Sequence, residues 1–172
     1  MFRAGFQSSS KPSDRGELAT HRIRNTEVRT SSTGLLVLLD TSFVLTCLRQ
    51  RLDYEPALQE LLHTRVSVAI IDGVMLELQR LARVGKWNTS SLARIALDIV
   101  ARGAIELVDT PLGVPDTDTS LLTFALGTRR ETAIATVDSD LRRLLGLNGL
   151  TVISPRSHSK LTVFRGSRFR PL

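Results

Sequence analysis

In the stretch "GLLVLLDTSFVL" (34–45), Leu35 to Leu39 are aliphatic without a break. That is the pattern of a strand buried on both faces of a sheet. Three polar residues follow, Asp40, Thr41 and Ser42, and apolar positions resume from Phe43 with the spacing of a helix over 42–50. A second helix is predicted over "EPALQELLH" (55–63), with Pro56 in its first turn. "RVSVAII" (65–71) reads as a strand and "GVMLELQRLARVG" (73–85) as a helix stopped by Gly85. "NTSSLARIALDIVARG" (88–103) has capping residues in front and Gly103 behind, and puts Leu92, Ile95, Ala96, Ile99 and Val100 on one helical face. "AIELVDT" (104–110) predicts a strand, "PLGVP" (111–115) a loop, and "DTDTSLLTFALGT" (116–128) a capped helix. "TAIATV" (132–137) is a strand, "SDLRRLLG" (139–146) a short helix, and "LTVIS" (150–154) a strand, after which "KLTVF" (160–164) offers an edge strand. Strands alternating with helices predict a three-layer α/β/α domain around a mainly parallel sheet. The domain is expected over 34–154. Residues 1–33, rich in Ser, Thr and Arg and without either period, read as a disordered extension, and 155–172 as a basic tail.

Composition narrows the class. The 172 residues are 42% hydrophobic with a mean hydropathy of +0.03, as expected of a globular chain with one core. No stretch approaches the roughly 20 apolar residues of a membrane span, and the first residues lack the apolar segment of a secretory signal. The expected compartment is therefore the cytoplasm, with no membrane partner. Cys47 is the single cysteine, which excludes an internal disulfide and a cysteine-based zinc site, and its apolar neighbours suit a buried thiol. The net charge of +6 points to a polyanionic partner, and its distribution is uneven. Residues 1–33 carry six Lys/Arg and three acids, residues 151–172 five and none, so the intervening body holds 12 basic and 14 acidic side chains.

The acids of that body fall at particular places. Asp40 ends the first strand and Asp138 the fourth; Asp116 and Asp118 open the helix that follows the third; Glu77 lies one turn into the helix after the second. In a parallel sheet all these junctions share the carboxyl edge, where such folds bind ligands. Taken singly, Asp40, Asp118 and Asp138 suit helix capping, and Asp116 and Asp140 suit a helix dipole. Together, without an interleaved Lys or Arg, they repel one another unless divalent cations neutralise them. An all-oxygen set favours Mg²⁺ or Mn²⁺ over zinc. His21, His63 and His158 are scattered, and no glycine-rich phosphate loop is present.

The segments "LLDTSFVL" (38–45), "VAIIDGVMLELQRL" (68–81), "PDTDTSLLTFA" (115–125) and "IATVDSDLRRLL" (134–145) resemble, in order and spacing, the PIN domain family of metal-dependent ribonucleases. "IIDGVMLELQRL" with "ATVDSDLRR" looks most similar to archaeal relatives of the PIN nuclease of the eukaryotic small-subunit processome. The resemblance implies a PIN-like fold. It carries the family's acids onto Asp40, Glu77, Asp118 and Asp138, with Asp140 as a companion of the last. Thr119 replaces a frequent neighbouring Asp, and Asp116 is the alternative third acid. Asp72 has a counterpart in the most similar relatives, for which helix capping is a sufficient reason. The implied activity is a Mg²⁺- or Mn²⁺-dependent endoribonuclease, in rRNA processing, with Ser42 or Thr41 positioning a water or phosphate oxygen. Arg142, Arg143, Arg165, Arg168 and Arg170, with Phe164 and Phe169 interleaved, are the expected RNA contacts. The alternatives are a non-catalytic RNA-binding scaffold and a toxin ribonuclease with an antitoxin partner. A homodimer is expected through the helix over 88–103 and the nearby Trp87.

Overall fold

The computed structural model describes residues 34–110, 116–157 and 160–166, all within the second of two units into which the chain divides, Ser31–Leu172. The expected N-terminal extension, the loop 111–115 and residues 167–172 lie outside the described residues. The strands are β1 (Leu35–Leu39), β2 (Val66–Ile71), β3 (Glu106–Val108), β4 (Thr132–Ala135), β5 (Thr151–Ser157) and β6 (Lys160–Arg165). The helices are α1 (Thr41–Gln50), α2 (Tyr54–Leu62), α3 (Asp72–Val84), α4 (Trp87–Ala101), α5 (Thr117–Gly127) and α6 (Ser139–Leu147).

One six-stranded sheet runs in the order β3-β2-β1-β4-β5-β6, parallel except for β6, which pairs antiparallel with β5. β1 lies at its centre, between β2 and β4, and all five of its side chains are buried, which is why its sequence does not alternate. The strand order reverses between β1 and β4. That makes the gap beyond their carboxyl ends the topological switch point, and Asp40 and Asp138 stand on its two sides.

Helices cover the sheet through short apolar repeats. α3 buries Val74, Leu78 and Ala82, four residues apart. α4, packed against it, buries Ala93 and Ala96, while Leu92, Ile99 and Val100 are half-buried and Ile95 is 49% exposed. The expected apolar face is thus rotated: the small Ala93 and Ala96 are its fully buried positions, and Ile95 is turned out. In the core Phe43 of α1 meets Tyr54 of α2 edge to face, with ring centroids 6.4 Å apart. Cys47 of α1 is fully buried and its thiol is pushed up to about 12 by that burial, so it is no nucleophile.

Three strands differ from expectation by two residues or more. β3 is shorter, as suits an edge strand. β4 stops at Ala135, although the Thr136 amide still bonds to the Ile153 carbonyl at 2.9 Å. β5 runs on to Ser157 because β6 pairs along its whole length, an antiparallel register that local periodicity cannot reveal.

Candidate active site

β1 delivers Asp40 to the switch point, where only 6% of the residue is exposed. It occupies the N-cap position of α1, and its backbone carbonyl accepts from the amides of Phe43 and Val44, both at 3.1 Å. Its carboxylate, however, caps nothing. Oδ2 accepts instead from the Thr136 hydroxyl at 2.8 Å and from the Ser42 hydroxyl. Those hydroxyl oxygens lie 3.2 Å apart, and each also accepts a backbone amide: Val137 N–H on Ser42 at 3.2 Å, Asp138 N–H on Thr136 at 3.0 Å. The β1–α1 and β4–α6 junctions are thereby locked together around one carboxylate oxygen. Among the described residues no donor reaches Oδ1 of Asp40.

Glu77 is half-buried on α3, and the Thr41 hydroxyl donates to its Oε2 at 2.8 Å, tying α1 to α3. Asp138 does cap its helix, its Oδ1 accepting from Asp140 N–H at 2.7 Å and Leu141 N–H at 3.0 Å. Asp116 caps α5, accepting from the Thr119 amide and hydroxyl, each at 2.8 Å; these bonds hold its carboxyl below the usual range. Asp118 makes no cap bond. Its carboxyl is raised above the usual range, first by desolvation and then by the charges of Asp40, Asp138, Asp116 and Glu77. Asp118 thus feels the acids of all the other junctions.

Among the described residues no ion pair compensates these carboxylates; the pairs there are Arg102–Asp98 and Arg130–Glu106. As they lie, no three of the described acids, histidines or cysteines stand close enough to grip one ion between them. Hard oxygen donors, accumulated negative charge and the raised Asp118 nevertheless fit Mg²⁺ or Mn²⁺, and fit zinc poorly.

The remaining candidates separate. Asp140 is exposed at the start of α6 beside Asp138. Ser42 belongs to the Asp40 cluster. Arg143 is exposed, and the Arg142 guanidinium lies over the Phe164 ring, 5.3 Å from its centroid. Arg165 pairs with Thr151, the first residue of β5, so it stands at the amino edge of the sheet, away from the carboxylates. Arg168, Arg170 and Phe169 lie outside the described residues. Asp72 does not make the expected cap: its Oδ1 accepts from the Thr110 hydroxyl and from Gly73 N–H at 2.9 Å, joining the end of β3 to α3. Thr136 was not among the candidates. Its signal is a hydroxyl directly after the apolar run 133–135, two residues before an acid. Two grooves of about 810 and 840 Å³ open at the amino edge; the acid among their lining residues is Glu131, so neither gathers a comparable set.

The profile of the family described as PIN like domain matches residues 37–158. The chain belongs to the PIN-like domain family. Among solved structures, the PIN domain endonuclease Utp24 superposes on this PIN-like chain with a TM-score of 0.64 and 26% sequence identity, over 79% of this chain and 96% of that one. None of the curated proteins matches the chain. PIN domains are generally nucleases, and the likeness to an endonuclease supports a nuclease-type role for this one.

Proposed function

We propose that this chain is a metal-dependent endoribonuclease that hydrolyses RNA phosphodiester bonds, in the processing of ribosomal RNA. The observation that carries the reading is Asp118: a carboxyl raised first by desolvation and then by Asp40, Asp138 and Glu77 of three other junctions and by Asp116 beside it, with no ion pair to any of them among the described residues. Asp40, Glu77, Asp118 and Asp138 are the residues that would hold Mg²⁺ or Mn²⁺. A divalent ion there supplies a water of lowered pKa and draws charge from the phosphodiester. The chain's own groups prepare that site. Ser42 and Thr136 hold Asp40 through Oδ2, which leaves Oδ1 without a described donor, and the Thr41 hydroxyl holds Glu77. Asp138 spends Oδ1 on the α6 amides, which orients Oδ2. The test is cleavage of RNA with and without Mn²⁺ by the wild type, Asp40→Asn and Asp138→Asn. Cleavage that needs metal and falls by orders of magnitude in both variants supports the assignment; equal cleavage by all three proteins means a contaminant and overturns it.

One observation favours a second reading, a non-catalytic RNA-binding scaffold. Thr119 stands where the family often has a further Asp, and its hydroxyl is committed to Asp116. Titration with Mn²⁺ separates the two: saturable binding below millimolar metal supports the nuclease, and its absence with RNA binding intact supports the scaffold.

A further inference from the structure

The β5–β6 hairpin occupies the part of the carboxyl edge that the carboxylates do not use. β5 runs parallel to β4, so its far end stands at the same edge as Asp138, one strand over. β6 then turns back antiparallel. Pro155 pairs with Leu161 and Ser157 with Lys160, which leaves Arg156 unopposed in a bulge. Bulges re-aim a side chain and recur beside functional sites. Arg156 and Lys160 are both exposed, and among the described residues neither enters an ion pair.

The same face continues along the strand. Alternation puts Lys160, Thr162 and Phe164 on one side of β6 and the buried Leu161 on the other. The Arg142 guanidinium over Phe164 marks that side as the one α6 packs against. Phe164 is 45% exposed, an aromatic ring half in water at a sheet edge with a cation stacked on it. Lysine on an edge strand is a common guard against aggregation. That reason covers Lys160 and leaves the wet phenylalanine and the bulged arginine without one. A phosphate chain with unpaired bases accounts for all of them, because cations contact phosphates while a ring and a guanidinium plane stack on bases.

We propose that this face of the β5–β6 hairpin is a docking track for single-stranded RNA, running from Phe164 and Arg142 toward the carboxylates, with Arg156 and Lys160 holding backbone phosphates at the mouth. The inference rests on the nuclease reading above and names the path of its substrate. Charge complementarity argues for it: residues 34–150 carry more acids than bases, and the mouth itself is acidic, so attraction for RNA has to come from flanking cations. Single strands are required because a paired base does not offer its face to Phe164.

The test is binding of a fluorescent single-stranded oligonucleotide to the full chain in EDTA, which separates binding from cleavage. Arg156→Ala with Lys160→Ala is expected to weaken binding and to make the slope of log affinity against log salt shallower by about 1.4, two lost phosphate contacts at about 0.7 each. Phe164→Ala is expected to weaken binding about fivefold or more, and a duplex of the same sequence to bind less well than the single strand. Thermal midpoints near that of the wild type exclude unfolding as the cause. The control is Arg65→Ala with Arg129→Ala, two exposed arginines at the amino edge, for which wild-type affinity is expected. Unchanged affinity and slope in the hairpin variants, or an equal loss in the amino-edge variant, overturns the track. Cleavage is followed separately: a wild type that binds through the hairpin and never cuts refutes the nuclease reading alone.

Discussion

At the scale of the residue, one side-chain type does three jobs. Asp116 is a cap, Asp138 is a cap that keeps one oxygen spare, and Asp40 is held by hydroxyls and caps nothing. Thr136 makes the last arrangement possible. Thr136→Val keeps the shape and deletes both the donor to Asp40 and the acceptor for Asp138 N–H. We expect it to cost about 1–3 kcal/mol in urea unfolding, the range for stranding a buried polar group, and to weaken Mn²⁺ binding; wild-type stability would refute the hydroxyl's role. Asp118 gives a pH prediction. Its folded-state value is raised, so the folded chain binds that proton more tightly than the unfolded chain, and stability falls as pH rises from the unfolded toward the folded value. Asp118→Asn removes the effect. In EDTA the variant should melt above the wild type at pH 7, and the advantage should vanish at pH values below the usual carboxylate range. Added Mn²⁺ should stabilise the wild type more than the variant. A variant that melts below the wild type in EDTA at neutral pH contradicts the crowding of charge. Asp116 works in the opposite sense: lowered by its cap bonds, it contributes stability that is lost as pH falls.

At the scale of the element, the edge of the sheet depends on a close approach after β6. The Gly166 amide bonds to the Leu150 carbonyl at 3.1 Å, and a Cβ on Gly166 would stand 2.5 Å from the Gly146 carbonyl oxygen and 2.9 Å from Gly149 Cα. Those atoms are backbone and cannot swing aside. Gly166→Ala is therefore expected to destabilise by about 1–3 kcal/mol, as overpacking does. Gly127, at the end of α5, has open space where its Cβ would be, so Gly127→Ala is the control and should be close to neutral in the same denaturation measurement. Equal midpoints for the two variants would mean that the end of β6 is not packed as described. The same contact explains why a truncation that spares β6 has to begin after Gly166, beyond Arg165.

At the scale of the whole molecule, the surface is unevenly wet. Trp87 is 82% exposed at the start of α4, Val84 is 74% exposed at the end of α3, and Ile95 is 49% exposed on α4. Trp87 therefore does not cover the core, and apolar side chains stand exposed at the end of α3 and on α4. We expect a second copy of the chain to cover them: light scattering should give about twice the 19.0 kDa chain mass, and Trp87→Glu should return it to the monomer. A 19.0 kDa particle at high concentration would refute the dimer. Among the described residues no helix is long and apolar enough to cross a membrane.

Sequence alone determined the alternation of strands and helices, because each element writes its own period into neighbouring residues, and it placed Asp40, Glu77, Asp118 and Asp138 at strand-to-helix junctions of one sheet edge. It left open what each acid does there, since a capping Asp and a free one look alike in a string. Tertiary structure decided that: Thr136 lies 96 residues from Asp40 and meets it only because β1 and β4 are neighbours in the sheet. It also turned Ile95 outward while burying Ala93 and Ala96 of the same helix, and it sent Arg165 to the amino edge by running β6 backwards along β5. Direction and register of a strand come from hydrogen bonds between distant segments, and no local pattern carries them.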